Sequence, residues 1–328
     1  MSKYQAVGIG NAVVDVISQC DDRFLSRMGI EKGVMQLIEQ ERGEYLYDQM
    51  ENRTRVSGGS VANTIAGMGA MGLATGFIGR VRDDDLGRFY ASEMAEAGTD
   101  FVNAPVPGGE LPTSRSMIFV TPDGERSMNT YLGISTELGP EDVDDTVAGG
   151  AGLLFLEGYL FDKDKGKNAF LAAARAARSG GGRAGITLSD PFCVDRHRDD
   201  FRALLRELDY AIGNEHEWRA LYQTDDLGAA LEQAATESGL VVCTRSGHDV
   251  VLVEGDKTVR VPVREITPTD ATGAGDQFAA GLLYGIATGY PLEIAGRMGC
   301  IAAAEVIGHV GARPEADVKE MFRAEGLV

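Results

Sequence analysis

Thr269-Asp-Ala-Thr-Gly-Ala-Gly-Asp276 stands between a β-branched run at 258–263 and a segment with Phe278, Leu282 and Ile286 at four-residue spacing. The run predicts a strand, and the spacing predicts a helix over 276–288. Gly273, Ala274 and Gly275 then sit at a helix N-terminus, where unpaired amides and the positive end of the dipole attract anions. Glycines let the backbone approach closely, so a transferring phosphoryl group can rest on those amides. Asp276 would project from the first turn toward the same spot, where a carboxylate can accept a proton from an attacking hydroxyl and orient it. The helix terminus is expected to keep that carboxylate ionised. A plainer reading stands beside this one. Acidic residues favour the first helical turn for stability alone, and with 43 glycines in 328 residues Gly-x-Gly triplets recur by chance.

Outward from this stretch, short β-branched runs alternate with longer helical patterns, which argues for an α/β domain with a mostly parallel sheet. Strands are expected at 6–9, 75–78, 152–156, 184–188, 210–213 and 240–244, and helices at 60–71, 85–97, 165–179, 201–207 and 227–238. One region breaks the rhythm. Residues 116–131 read as two strands around a turn containing Pro122-Asp123-Gly124. Further extended pieces fall at 14–19 and 34–38. Together they suggest a small separate sheet, a lid, with a hairpin on the edge of the main sheet as the alternative.

The formal charge of −19 and a pI near 4.6 repel phosphate backbones, so nucleic acid is not an expected partner. No stretch reaches the roughly 20 apolar residues of a membrane span. Met1 to Tyr4 lead straight into Ala6-Val-Gly-Ile-Gly10, with no targeting signal, and a cytoplasmic protein is expected. The four cysteines and four histidines are dispersed, without the spacing of a zinc site or of a Ser-His-Asp triad.

Ser57-Gly-Gly-Ser-Val-Ala-Asn63 is a second glycine cluster opening a helix. Gly58 and Gly59 allow close ligand approach, and Asn63 offers donor and acceptor to sugar hydroxyls; a tight turn with a cap at Ser60 is the alternative. Gly8-Ile-Gly-Asn11 lacks the third glycine of a dinucleotide fingerprint, since Val13 occupies its place, and no Gly-x-x-x-x-Gly-Lys-[Ser/Thr] loop occurs.

Three motifs in order carry a family resemblance. Gly58-Gly59 with Asn63, then Gly79 and Asp83-Asp-Asp-Leu-Gly87, resemble the N-terminal pattern of ribokinase-like (PfkB-type) carbohydrate kinases. Asn214-Glu-His-Glu217 is similar to their central Asn-x-x-Glu, and Asp270-Ala-Thr-Gly-Ala-Gly-Asp276 to their C-terminal pattern. The resemblance spans nearly the whole chain. It implies one domain over 1–328 with a Rossmann-like three-layer α/β/α ribokinase-like fold, and lid elements within about 12–40 and 110–133.

The resemblance also implies an ATP-dependent kinase with Mg²⁺ and a monovalent cation such as K⁺. Asp276 becomes the base, and Gly273, Ala274 and Gly275 the anion hole. Asn11, Asp15, Gly58, Gly59 and Asn63 would bind the acceptor. Asn214, Glu217, Thr244 and Gly247 would hold ATP and Mg²⁺, although an exposed helix cap with a surface acid is the preferred reading of Asn214 and Glu217 outside that context. Asp270 and Thr272 fall where the family holds its monovalent cation. Two departures stand out: Ala271 replaces the family's common threonine beside that cation, and Gln277 replaces a small residue after the base.

Several segments resemble the adenosine kinase branch. Thr187-Leu-Ser-Asp-Pro-Phe192 is similar to its Asn-Leu-Ser-Ala-Pro-Phe run, and Gly124-Glu-Arg-Ser127 and Tyr131-Leu-Gly133 match its lid hairpin. Arg126 could then clamp the transferring phosphate, while Tyr159 and Leu132 present apolar faces to a base. Adenosine is the leading acceptor. The alternatives are a sugar such as ribose, fructose or ketodeoxygluconate, and a non-catalytic nucleotide-binding protein of the same fold. Monomer and homodimer both remain open.

Overall fold

The computed structural model describes residues 3–264 and 266–328. Its strands, in chain order, are β1 (Ala6–Ile9), β2 (Val13–Gln19), β3 (Met35–Leu37), β4 (Thr54–Gly58), β5 (Thr75–Ile78), β6 (Thr99–Phe101), β7 (Ser114–Val120), β8 (Arg126–Tyr131), β9 (Leu153–Glu157), β10 (Arg183–Thr187), β11 (Tyr210–Asn214), β12 (Leu240–Arg245), β13 (His248–Glu254) and β14 (Lys257–Val261). Nine of them form one sheet, in the order β14-β13-β12-β11-β10-β9-β1-β5-β6. It is parallel from β12 to β6 and antiparallel at the β12-β13-β14 edge.

The period of two along the central strands makes the three layers. Ala6, Leu153, Phe155, Tyr210, Ile212, Leu240 and Val242 point into one core, with the helices Ser60–Ala70, Ala274–Ala287 and Leu292–Val306. Their neighbours Val7, Ile9, Leu154, Leu156, Ala211, Val241 and Cys243 point into the other, with the helices Asp164–Ser179 and Arg198–Leu205. Strands buried on both faces read as unbroken apolar runs, which is why these were visible in the sequence.

The remaining strands form a second sheet, in the order β3-β8-β7-β2-β4. The expected hairpin is its core, with β7 and β8 antiparallel, and β2 lies parallel to β7. β4 lies outside the two segments expected to build the lid. It pairs antiparallel with β2, Val13 opposite Gly58, so the chain re-enters the main domain at the second glycine cluster.

The expected βα junction before Asp276 is different in form. β14 ends at Val261 on the outer edge of the main sheet, and the helix Ala274–Ala287 that follows in sequence packs instead on Ser60–Ala70 over the sheet centre. The two glycine-led helices thus lie side by side.

Candidate active site

A cleft of about 560 Å³ opens between the lid and the C-terminal ends of the parallel strands, where open α/β sheets bind ligands. Its floor is Asn11, Gly59, Ser60, Asn63, Glu157 and Asp276; the lid contributes Val13, Asp15, Met35, Leu37, Ser116, Met128 and Thr130. Leu132, Tyr159, Ser189, Asp190, Phe192 and Arg196 line its outer end, and Thr272 and Ala312 its remaining side.

Asp276 is held by the neighbouring helix. Ser60 Oγ donates to its Oδ1 at 2.6 Å, and Asn63 Nδ2 to its Oδ2 at 3.1 Å. Burial pushes its pKa up to about 6, against those two hydrogen bonds. Withdrawal from water thus shifts it opposite to the pull expected of the helix terminus, without making it neutral at pH 7. The group is a stronger base for it and is still ionised above neutral pH. Gly273 caps the helix at φ +78°, and a Cβ there would lie 2.6 Å from Ala312 Cα, so only glycine fits. Ala274 N donates to Ala271 O at 3.2 Å, which removes it from the donors expected to face an anion. Gly275 is exposed, with open space where a Cβ would stand.

The other glycine pair is as tightly determined. Gly59 has φ +103°, and a Cβ there would strike Asn11 O at 2.3 Å; one at Gly58 would strike Asp15 Oδ2 at 2.6 Å. The pair therefore brings the start of the helix at Ser60 against Asn11 and Asp15.

Beneath them lies a carboxylate the sequence reading missed. Glu157, buried at the end of β9, accepts from Asn11 N at 3.1 Å, Asn11 Nδ2 at 2.8 Å and Val61 N at 3.0 Å. Burial raises its pKa to about 7, despite these bonds and aided by the charge of Asp276. Asp15 is likewise raised to about 7 by burial, opposed by Arg126 and Arg313. Three acids with raised pKa values around one cleft make it the candidate functional site.

A model of the pfkB family of carbohydrate kinases matches residues 32–319. The chain belongs to that family. The solved structure of a probable sugar kinase from Rhizobium etli superposes with a TM-score of 0.91, at 42% identity over 100% of both chains. Adenosine kinase from Sinorhizobium meliloti superposes with a TM-score of 0.90, at 44% identity over 99% of this chain and 100% of that one. A 5-dehydro-2-deoxygluconokinase from Shouchella clausii is 27% identical over 82% of this chain and 86% of its own length. This pfkB-family protein is accordingly an ATP-dependent kinase with the ribokinase-like α/β fold.

In this family member the remaining expected groups are arranged as follows. Arg126 and Asp270, assigned to a phosphate and to a cation, hold each other instead: Arg126 Nη1 is 2.5 Å from Asp270 Oδ2. Asp270 also accepts from Thr272 N at 2.9 Å and Gly311 N at 3.1 Å, so a monovalent cation there would share it with a guanidinium. Asn11 lines the cleft with its amide engaged, Nδ2 by Glu157 and Oδ1 by Ser135 Oγ at 2.9 Å. Tyr159 lines it too, its hydroxyl donating to Ser189 O at 3.3 Å. Leu132 faces the cleft rather than only the sheet.

Asn214 and Glu217 form a reciprocal capping box on the helix Glu215–Tyr222: Asn214 Oδ1 accepts from Glu217 N at 3.0 Å, and Glu217 Oε2 from Asn214 N at 2.8 Å. The acid is not a surface one, because Glu217 is buried and its pKa is pushed to about 7. Asn214 is the register partner of Thr244 across β11 and β12, and Gly247 lies in the turn beyond, so all four stand at the C-terminal end of these two strands. Among the described residues no three acid, histidine or cysteine side chains converge on a metal position.

Gln277, noted as a departure, is fully buried and reaches away from the cleft. Its Nε2 donates to Asn63 O at 3.1 Å and to Ala312 O at 3.0 Å, pinning the two helices together.

Proposed function

We propose that this kinase phosphorylates the hydroxymethyl group of a nucleoside, with adenosine the leading acceptor and AMP the product. The observation that carries this is the lining of the cleft. Asp15, Asn63 and Glu157 gather around Asp276 and the glycine pair, while Met35, Leu37 and Met128 stand on β3 and β8, across the second sheet from Asp15, and Leu132, Tyr159 and Phe192 line the cleft among Ser189, Asp190 and Arg196. A ribose matches the polar groups around Asp276, and a flat, largely apolar base matches the apolar ones. A free sugar would leave those apolar faces uncovered.

In this reading the ribose hydroxyls meet Asp15 and Asn63 beside Gly58 and Gly59, which sets the hydroxymethyl group against Asp276. Asp276, ionised above about pH 6, accepts the hydroxyl proton as the oxygen attacks. The amides at Gly273 and Gly275 face the charge that develops on the transferring group. ATP with Mg²⁺ supplies that group; Asn214, Glu217, Thr244 and Gly247 are the residues that would hold it. The lid above excludes water, which would otherwise compete as acceptor.

Phosphorylation of a free sugar is the second reading, favoured by the hydroxyl-binding character of the polar groups. Turnover of ATP with adenosine, inosine, ribose, fructose and ketodeoxygluconate separates the two. Preferred turnover of adenosine supports the nucleoside assignment, and preferred turnover of a free sugar overturns it.

A further inference from the structure

The segment after the helix Leu292–Val306 touches three residues around Asp276 in succession. Gly311 N donates to Asp270, Ala312 O accepts from Gln277 at 3.0 Å, and Arg313 Nε donates to Asn63 Oδ1 at 3.4 Å. The segment is itself tied down, since Glu305 Oε1 accepts from Glu315 N at 2.9 Å and Ala316 N at 2.8 Å. Arg313 is partly buried, its Nη2 is 3.3 Å from Met94 Sδ, and Tyr90, Glu93 and Asp15 are the ionisable groups facing it.

The two ends of the Asn63 amide are therefore under opposite demands. Its oxygen only accepts and its nitrogen only donates; a guanidinium only donates and an ionised carboxylate only accepts. With Arg313 on one side and Asp276 on the other, one orientation satisfies both. It turns the oxygen to Arg313 and Nδ2 to Asp276 Oδ2. The turned amide would set donor against donor and acceptor against acceptor.

We infer that Arg313 is a positioning residue, which fixes the Asn63 amide and through it the direction in which Asp276 faces the acceptor hydroxyl. This rests on Asp276 being the base. A different role, counter-charge to Asp15 and Glu93 alone, would show in the acceptor's KM rather than in kcat.

Arg313→Met and Arg313→Leu remove the donor while keeping an apolar stem, and either suffices if the other folds poorly. With adenosine and MgATP, kcat is expected to fall roughly tenfold to a hundredfold, as for a slightly misplaced catalytic group, with little change in acceptor KM. Arg313→Lys, which still donates, recovers part of the rate. In the Asn63→Ala background the Arg313 substitution costs nothing further, because the two act in series. A crystal structure of Arg313→Met, which needs no acceptor, should show the Asn63 amide turned or moved off Asp276. Wild-type kcat in the variants, full additivity with Asn63→Ala, or an undisturbed Asn63–Asp276 contact would each overturn the inference. If the wild type turns over no acceptor, the kinase assignment of Asp276 fails, and the position of Asn63 in that crystal structure decides the role of Arg313 by itself.

Discussion

Arg126 on the second sheet and Asp270 ahead of the helix Ala274–Ala287 form a largely buried ion pair, with side chains 10% and 9% exposed. The second sheet is thus joined by charge to the segment that precedes Asp276. Removing one partner leaves an unpaired charge out of water, which costs about 3–5 kcal/mol. Arg126→Met should lose stability of that order in urea denaturation, and the double variant with Asp270→Asn should lose less than the single one. A larger loss in the double variant would show that the pair does not act as a unit.

Asp276→Asn keeps an acceptor for Ser60 and removes the base. Its kcat should drop about 10² or more, while ATP binding, measured by calorimetry, stays near the wild-type value.

The raised acids give a pH signature of defined sign. Turnover should rise with pH through about 6, as Asp276 loses its proton. Stability from the same groups runs the other way. Asp276 at about 6, with Asp15 and Glu157 at about 7, binds protons more tightly folded than unfolded. Their contribution is complete below the ordinary carboxylate range and is lost as pH rises toward 7. Asp276→Asn should therefore raise Tm over wild type more at pH 8 than at pH 4. An equal change at both would contradict the shift.

Phe192 is 75% exposed at the apolar lip of the cleft, free to cover a base. Phe192→Ala should raise the KM for adenosine roughly tenfold, the equivalent of about 1.4 kcal/mol, and leave any slow turnover of ribose unaltered.

Gln277→Leu conserves volume and strands the carbonyl of Ala312, while that of Asn63 keeps its place in the ladder of the helix Ser60–Ala70. Leaving a buried acceptor unpaired costs about 1–3 kcal/mol. Gln277 Oε1 already lacks a partner, so its removal returns part of that. A loss near the low end of the range is expected from thermal melting.

The parts of the fold legible in sequence were those with an unambiguous period. The central strands are apolar on both faces, and the glycine clusters punctuate them. β4, β6 and β13 went unread, the first because Thr54-Arg-Val-Ser-Gly58 is largely polar, the second because three residues set no period. At the site, Asp276 and Asn63 were each picked out because each follows a glycine pattern that opens a helix, but their hydrogen bond was not foreseen. Glu157 carried a signal that went unused: a carboxylate ending the apolar run Leu153–Leu156 stands where parallel strands meet their ligands. Arg313 carried none, since its role depends on residues 250 positions away in the chain. The Arg126–Asp270 pair was hidden for the same reason, each partner having been read alone.

The most direct measurement is ADP formed from MgATP with adenosine as acceptor, for wild type and Asp276→Asn side by side. The expected result is stoichiometric ADP and AMP from the wild type and a rate lower by about 10² or more in the variant. Equal rates in the two would contradict Asp276 as the base, whatever the acceptor.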